Sequence, residues 1–239
     1  MKFKTMSVHS GQRIDPQTGA LTTPLYQSST FSYFNAQAGK ERFAGQAPGF
    51  IYSRFGNPTT AELEQKLAAL EGADEALVVA SGMAAVSAIM YALADSGDEV
   101  AYIGPLYGGT DAFLKQTFSR AGIKITAYES DRDLPANIRP ATKVVLFETL
   151  TNPTLKVVDP RLVVEAARKV GAITVCDNTF LTPYLLRPLE LGVDVVMHSG
   201  TKYLGGHGDI IAGVVAGSHA LMKSIRTVAL KHIRTVALK

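Results

Sequence analysis

The chain has 239 residues, of which 46% are hydrophobic and 19% charged, and its formal net charge is +3. This balance is typical of a globular protein with a sizeable core, and the small charge, without blocks of one sign, argues against a nucleic-acid or anionic-membrane partner. One cysteine, Cys176, excludes an internal disulfide framework. The first ten residues lack the apolar stretch of a secretory signal, and no run approaches the ~18 apolar residues of a membrane span. We therefore expect a soluble, cytoplasmic protein.

Residues 1–57 are rich in Gly, Pro, Ser, Thr and Gln and have no sustained hydrophobic periodicity. A long segment without a core of its own usually packs on another surface. We predict that it is an extended N-terminal arm that contacts a neighbouring subunit. Pro58 then predicts the start of a helix over Thr60–Leu70, which ends at Gly72.

After this helix, short apolar runs alternate with helical patterns. Nearly all-apolar strands in a βα alternation are typical of a mostly parallel sheet covered by helices on both faces. We therefore predict an α/β domain over residues 58–231. Its strands are expected at Ala76–Ala80, Glu99–Ile103, Ile123–Ala127, Lys143–Phe147, Ile173–Cys176, Val193–Met197 and Ile210–Val215, and its main helices at Met83–Leu93, Asp111–Arg120 and Arg161–Val170.

The last residues repeat a segment. Ile225–Lys231 recurs word for word as Ile233–Lys239, with His232 between the copies. A step of eight residues turns a helix face by about 80°, and the unit is too short for a solenoid repeat. We interpret residues 232–239 as a duplicated tail and assign them no function.

The candidate site follows from the predicted topology, because ligands of parallel sheets bind beyond the carboxyl ends of the strands. Ser81, Gly82 and Met83 follow one strand and open a helix, whose first amides could bind an anion. An ordinary Ser N-cap is the alternative interpretation. The chain contains neither a dinucleotide-binding G-x-G-x-x-G nor a P-loop, so a ligand with a single phosphate is favoured over a nicotinamide cofactor.

Lys202 lies just beyond the strand Val193–Met197, with Ser199 and Thr201 beside it. The lysine amine can form an imine with an aldehyde cofactor, and the two hydroxyls can donate hydrogen bonds to a phosphate. Taken alone, a lysine in a surface loop is the more ordinary interpretation. Asp177 ends a buried strand, where a carboxylate requires a cationic partner such as a protonated pyridine nitrogen. A helix cap or turn aspartate is the alternative.

Three further residues extend this set. Tyr107 lies in a glycine-rich turn, where it could stack on a ring and move a proton, although it could equally cover the core. Tyr52 and Arg54 are good phosphate ligands in the arm, and a surface arginine is the alternative for Arg54. The histidines have no spacing that suggests a metal site. Together, a phosphate cradle, a pyridine partner, a stacking tyrosine and an imine-forming lysine predict pyridoxal 5′-phosphate (PLP).

The motifs that carry these residues also resemble those of a known family, the Cys/Met-metabolism PLP enzymes. The resemblance covers about residues 5–231 and rests on six ordered motifs. These are Tyr52–Thr59, Ser81–Met83, Leu106–Thr110, Glu148–Pro153, Asp177–Phe180 and Ser199–Asp209. It implies the large domain of an aspartate aminotransferase-like, fold type I PLP enzyme, with an extended N-terminal arm.

The resemblance also implies roles for individual residues. Lys202 would hold the cofactor covalently, Asp177 would pair with its pyridine nitrogen, and Tyr107 would stack on the ring and act as an acid or base. Asn152 would approach the ring hydroxyl. The remaining cofactor-binding residues would be Ser81, Gly82, Met83, Thr179, Ser199 and Thr201, joined by Tyr52 and Arg54 from a neighbouring subunit. Active sites would thus be shared in a dimer, within a dimer of dimers.

The implied activity is a carbon–sulfur lyase that acts on sulfur amino acids by γ-elimination. Arg42–Gly45 and Gly206–Asp209 resemble the methionine γ-lyase members most, whereas Gly109 is typical of the γ-replacement members, which use homoserine esters. Cystathionine γ-lyase is a further alternative. The family also has a C-terminal domain, whose arginine binds the substrate carboxylate, and we find no counterpart here. A non-catalytic, PLP-binding fragment is therefore the alternative from another class.

Overall fold

A computed structural model describes residues 1–230 of the chain, and its centre is one seven-stranded sheet. The strands lie in the order β1-β7-β6-β5-β4-β2-β3. Their bounds are β1 Glu75–Val79, β2 Glu99–Ile103, β3 Lys124–Tyr128, β4 Thr142–Glu148, β5 Ile173–Asp177, β6 Val195–Ser199 and β7 Gly213–Gly217. Among these, β7 alone runs opposite to its neighbours. The predicted α/β class with a mostly parallel sheet is confirmed.

The helices cover both faces of this sheet. Their bounds are α1 Phe3–His9, α2 Ala36–Phe43, α3 Pro58–Glu71, α4 Gly82–Leu93, α5 Gly108–Ala112, α6 Leu134–Asn137, α7 Pro160–Val170, α8 Thr182–Leu185 and α9 His219–Val228. On one face, α4 and α9 bury Ile89 and Met222 against the strands. On the other, α7 buries Val163 and α3 buries Leu67. None of the helices within residues 1–230 has the length and apolar content that a membrane crossing requires.

The start and end predicted for α3 are confirmed by its caps. The Asn57 side chain accepts a hydrogen bond from the Thr59 amide, and Pro58 occupies the first helical position, where a missing N–H removes no bond. Gly72 ends the helix with φ of +72°, a left-handed conformation that glycine adopts without strain.

Three predictions differ from the structure. The arm contains two short helices, α1 and α2, although it lacks long periodicity. The strands β6 and β7 begin two and three residues later than predicted, since their shared register runs from Val195 opposite Gly217 to Ser199 opposite Gly213. The helix predicted over Asp111–Arg120 is divided into α5, a π-helical turn at Phe113–Thr117 and a 3₁₀ turn at Phe118–Ala121.

Aromatic packing accounts for the divided helix. The rings of Phe113 and Phe118 are stacked with centroids 5.5 Å apart, and both lie edge-on to Tyr91. Residues five apart point about 140° away from each other in a regular α-helix, whereas a π turn brings them onto one side.

The duplicated tail predicted at residues 232–239 lies outside the described residues.

Gly213 lies so close to Ser81, the residue before α4, that an added side chain at position 213 is expected to lower stability. A Cβ atom at Gly213 would overlap the backbone carbonyl of Ser81 and lie 2.9 Å from Val79 Cγ2. We expect Gly213→Ala to lower the free energy of unfolding by about 1–3 kcal/mol or more, since the backbone cannot move away cheaply. Urea denaturation measures this. Gly208→Ala is the matched control, because nothing lies within 4 Å of its added Cβ, and an equal loss there would contradict the steric explanation.

Candidate functional site

One cavity of about 300 Å³ opens at the carboxyl ends of the parallel strands, where the topology predicted a site. Its volume is at the lower end of the range for small-molecule sites. Except for Tyr52 and Arg54, all the predicted site residues line it. They are Ser81, Gly82, Met83, Tyr107, Asn152, Asp177, Thr179, Ser199, Thr201 and Lys202.

The wall formed by α4 and the end of β6 is suited to a phosphate group. Ser81 caps α4, since its Oγ accepts a hydrogen bond from the Ala84 amide at 3.1 Å. The first amides of a helix have no partner within it, so those of Gly82 and Met83 are available to an anion at the positive end of the helix dipole. A Cβ at Gly82 would lie 2.9 Å from Ser199 Cβ. Glycine therefore allows the helix start and the strand end to form one cradle.

The hydroxyl of Thr201, in the same wall, binds the backbone of Ala212. Its Oγ1 donates to the Ala212 carbonyl at 3.2 Å and accepts from the Ala212 amide at 3.1 Å. Those bonds tie the segment that carries Lys202 to the residues before β7. Lys202 follows directly, and its exposed side chain lines the cavity.

Asp177, the last residue of β5, is enclosed by protein and opens into the cavity. Its Oδ1 accepts hydrogen bonds from the amide and the hydroxyl of Thr179, at 3.0 and 2.5 Å. Burial raises the pKa of the Asp177 carboxyl, and the Thr179 bonds oppose this only in part. Within the described residues no lysine, arginine or histidine forms an ion pair with Asp177. A partly buried carboxylate at the cavity wall is suited to a ligand that supplies positive charge.

Thr179 has a second role in the geometry. Its Oγ1 also accepts a hydrogen bond from the Ser199 amide, at 2.8 Å. One hydroxyl therefore links the residue after β5 to the end of β6, and it orients Asp177 relative to the phosphate wall. Sequence reasoning included Thr179 through the resemblance alone, because the link joins two strands.

Glu148 is a cavity residue to which sequence reasoning assigned no role. It ends β4, and its carboxylate accepts hydrogen bonds from the backbone amides of Tyr107 and Asn152, at 2.6 and 2.8 Å. The signal that could have identified it was its position, directly after an apolar strand in the motif Glu148–Pro153. The side chains of Tyr107 and Asn152 line the cavity as predicted.

Position 109 is close to the Tyr107 ring. A Cβ at Gly109 would lie 2.5 Å from Tyr107 Cε1. A larger residue at this position would therefore require the ring to move, which the half-exposed tyrosine can do. The residue at 109 thus influences where the phenol lies in the cavity.

Tyr52 and Arg54 do not line the cavity of their own chain. Both side chains are exposed, and Arg54 donates a hydrogen bond to the Leu230 carbonyl at 2.5 Å and lies over the Phe55 ring at 4.6 Å. The single chain therefore does not bring these two predicted phosphate ligands to the phosphate wall. Their role across a subunit interface stays a prediction.

His198 lies on the opposite face of β6 from the cavity. Its Nε2 is 2.5 Å from Glu71 Oε1, and both side chains are buried. This pair joins the end of α3 to the sheet. In the described part of the chain, no three His, Cys, Asp or Glu side chains are grouped as a metal site requires.

The residues present fit PLP on structural grounds. The cavity combines free amides at a helix N-terminus, a lysine amine and a partly buried carboxylate that forms no ion pair among the described residues. These are the groups that a phosphate, an aldehyde and a protonated ring nitrogen each require.

Comparisons with known proteins agree with this fit. The profile of the family described as Cys/Met metabolism PLP-dependent enzyme matches residues 4–233. The chain is 43% identical to L-methionine gamma-lyase of Porphyromonas gingivalis over 234 residues, covering 97% of this chain and 58% of that protein.

Solved structures show the same likeness. Cystathionine gamma-lyase of Lactobacillus plantarum, complexed with L-serine, has a TM-score of 0.90 and 36% identity, covering 99% of this chain and 60% of that one. A Campylobacter jejuni protein described as an O-acetylhomoserine (thiol)-lyase contains a pyridoxyl-lysine phosphate. Its TM-score is 0.87 and its identity 35%, covering 94% and 56% of the two chains. The predicted fold type I class is confirmed, and the chain spans less than two thirds of the length of each of these relatives.

Proposed function

Because the chain belongs to the Cys/Met metabolism family of PLP-dependent enzymes, we propose that it forms the cofactor-binding part of a carbon–sulfur lyase. The proposed reaction is γ-elimination from a sulfur amino acid. With methionine and water, it would release a thiol, 2-oxobutanoate and ammonia. The observation that carries the proposal is the grouping of Lys202, Asp177 and Tyr107 with a helix N-terminus around one cavity.

PLP, when bound, supplies an electron sink for negative charge that develops at the substrate Cα. In the proposed arrangement, the Lys202 amine holds the cofactor aldehyde and afterwards moves protons at the substrate Cα and Cβ. The Asp177 carboxylate keeps the ring nitrogen protonated, and the Tyr107 phenol gives a proton to the departing γ substituent. Proton transfers by positioned groups of this kind contribute about 10²–10⁴-fold each.

Other residues hold the cofactor in place. The Gly82 and Met83 amides and the Ser199 hydroxyl would bind the phosphate, and Asn152 would approach the ring hydroxyl. Thr201 would join the phosphate site once its hydroxyl leaves the Ala212 carbonyl. Tyr52 and Arg54 would complete the phosphate site of a neighbouring copy of the chain. That assignment is supported by their exposure and by their absence from the lining of their own cavity. A dimer with shared sites follows from the proposal.

A γ-replacement activity is the second candidate, and Gly109 favours it. The absence of a side chain at this position lets the Tyr107 ring lie close to the backbone, and glycine here resembles the members that join a thiol to a homoserine ester. Incubation of the purified 239-residue protein and PLP with methionine alone would separate the two. Formation of 2-oxo acid without an added thiol supports elimination, whereas turnover of O-acetylhomoserine only when a thiol is present supports replacement.

A third outcome of these incubations is a protein that binds PLP but has neither activity. If the purified protein binds PLP but turns over neither methionine, cystathionine nor O-acetylhomoserine with thiol, it acts as a cofactor-binding fragment. If it retains no visible absorbance band after incubation with PLP and removal of the unbound cofactor, the proposed cofactor site is wrong for this chain.

A further inference from the structure

Glu148 joins two segments that are distant in sequence and that both line the cavity. Its Oε1 accepts the backbone N–H of Tyr107 at 2.6 Å, and its Oε2 accepts the backbone N–H of Asn152 at 2.8 Å. Tyr107 directly precedes α5, whereas Asn152 follows β4. Because each carboxylate oxygen bonds one segment, the side chain sets the separation between them.

The carboxylate is held in place by these amides rather than by a cation. Glu148 is only 5% exposed, and among residues 1–230 no ion pair includes it. Burial, together with the nearby charge of Asp177, raises its pKa to about 7, although the two amide bonds lower it. The nearby titratable groups are Asp177 on β5, whose charge acts on Glu148, and Tyr107 and Lys202, which line the same cavity. Cys176 packs in the core on the opposite face of the sheet.

Stability does not explain such a carboxylate, since a buried charge without a counter-ion costs free energy. An apolar residue could fill this space at the end of β4, but it could not accept two amide protons. The two hydrogen bonds to the backbone amides, rather than the filling of space, therefore explain a carboxylate at this position.

We propose that Glu148 is a positioning residue that clamps the Tyr107 and Asn152 segments at a set separation, so that both side chains face a bound cofactor ring. The clamp itself is a property of the chain alone. Its effect on the ring rests on the proposed function. Glu148 acts through the two backbone amides and does not take part in a proton transfer to substrate.

The variant Glu148→Gln tests the clamp with little change in shape. A glutamine side chain has one acceptor oxygen, and its NH₂ group is a donor that cannot accept an amide proton. One of the two bonds is therefore lost. Glu165→Gln is the matched control, because Glu165 lies exposed on α7 and pairs with Lys169.

The first measurement uses the protein without added PLP. Amide hydrogen exchange, followed by NMR of ¹⁵N-labelled protein, reports each backbone N–H separately. We expect exchange at Tyr107 or Asn152 to be at least about 10-fold faster in Glu148→Gln, as loss of a charge-assisted hydrogen bond predicts. The Thr174 amide, which is bound by Asp194 Oδ2, should be unchanged. Unchanged exchange at both Tyr107 and Asn152 would overturn the proposal.

The pH dependence gives a second measurement, which needs no variant. Protonation of Glu148 removes one acceptor, so the protection of the Tyr107 and Asn152 amides, relative to unstructured peptides, should decrease as the pH is lowered through about 7. The protection of the Thr174 amide should not follow this change. A parallel decrease at Thr174 would show a change of the whole fold, and protection at Tyr107 and Asn152 that increases as the pH is lowered would contradict the clamp.

The third measurement adds PLP. In Glu148→Gln we expect the PLP dissociation constant to rise about 10-fold, and the visible circular dichroism of the bound cofactor to change, because the ring contacts move. Glu165→Gln should match the unchanged protein in both. Equal affinity and an equal spectrum in Glu148→Gln would overturn the positioning role. If the unchanged chain binds no PLP, the proposed function fails, while the exchange rates still decide whether Glu148 clamps the two segments.

Discussion

Replacement of Lys202 by alanine is expected to abolish covalent attachment of PLP and to lower any turnover by at least about 10²–10⁴-fold. Within the described residues, Lys202 is the lysine that lines the cavity. Its removal therefore takes away both the amine that would hold the cofactor and the base that would move protons at the substrate. The visible absorbance band of the protein with PLP should disappear.

Borohydride reduction followed by mass spectrometry makes this test site-specific. The unchanged protein should gain one pyridoxyl phosphate group on the peptide that contains Lys202, and Lys202→Ala should gain none. Lys143→Ala is the matched control, because Lys143 is an exposed lysine on β4, away from the cavity. A stoichiometric label on another lysine in Lys202→Ala would show that the assignment is wrong.

Asp177→Asn is expected to weaken the binding of PLP and to stabilise the chain without PLP. Asparagine retains an oxygen that can accept the Thr179 bonds but has no charge for a protonated ring nitrogen. Loss of a buried charge-assisted bond should raise the PLP dissociation constant by about 10–100-fold. Without PLP, the same change removes a partly buried carboxylate that forms no ion pair among the described residues, so the melting temperature should rise.

The sign of the stability effect follows from the pKa. Burial raises the pKa of Asp177 in the folded chain above its ordinary value, so the folded state binds a proton more readily than the unfolded state does. The folded state is therefore destabilised by ionisation of Asp177 as the pH rises past the ordinary aspartate range. The gain from Asp177→Asn should be present at neutral pH and should shrink as the pH falls toward 4.

Asp194→Asn is the contrasting control. Asp194 Oδ2 accepts hydrogen bonds from the Thr174 amide and hydroxyl, at 2.8 and 2.7 Å. Its charge thus supports the structure, and the asparagine variant should lose about 1 kcal/mol of stability. Calorimetry of both variants without PLP checks the contrast. If Asp177→Asn is destabilised to the same degree as Asp194→Asn, the carboxylate of Asp177 is structural and the proposed cofactor role loses its physical basis.

Much of the site was predictable because its residues follow strands. Ser81, Asp177 and Lys202 were each predicted from their positions at or after the ends of strands, and all three line the cavity. The physical reason is topological, since the carboxyl ends of parallel strands meet at one edge of a sheet. A local pattern in the chain thus becomes a cluster in space without further information.

The amino-acid sequence by itself determined the βα alternation, the caps of α3 and the edge of the sheet that carries the site, because periodicity, capping residues and strand length are local properties of the chain. The tertiary structure alone decided the antiparallel direction of β7, the division of the helix at Phe113–Thr117, and the hydrogen bond that Glu148 accepts from an amide 41 residues away. It also showed that Tyr52 and Arg54 lie outside the cavity of their own chain. These features depend on which distant residues become neighbours in space, and no local pattern of residues records that.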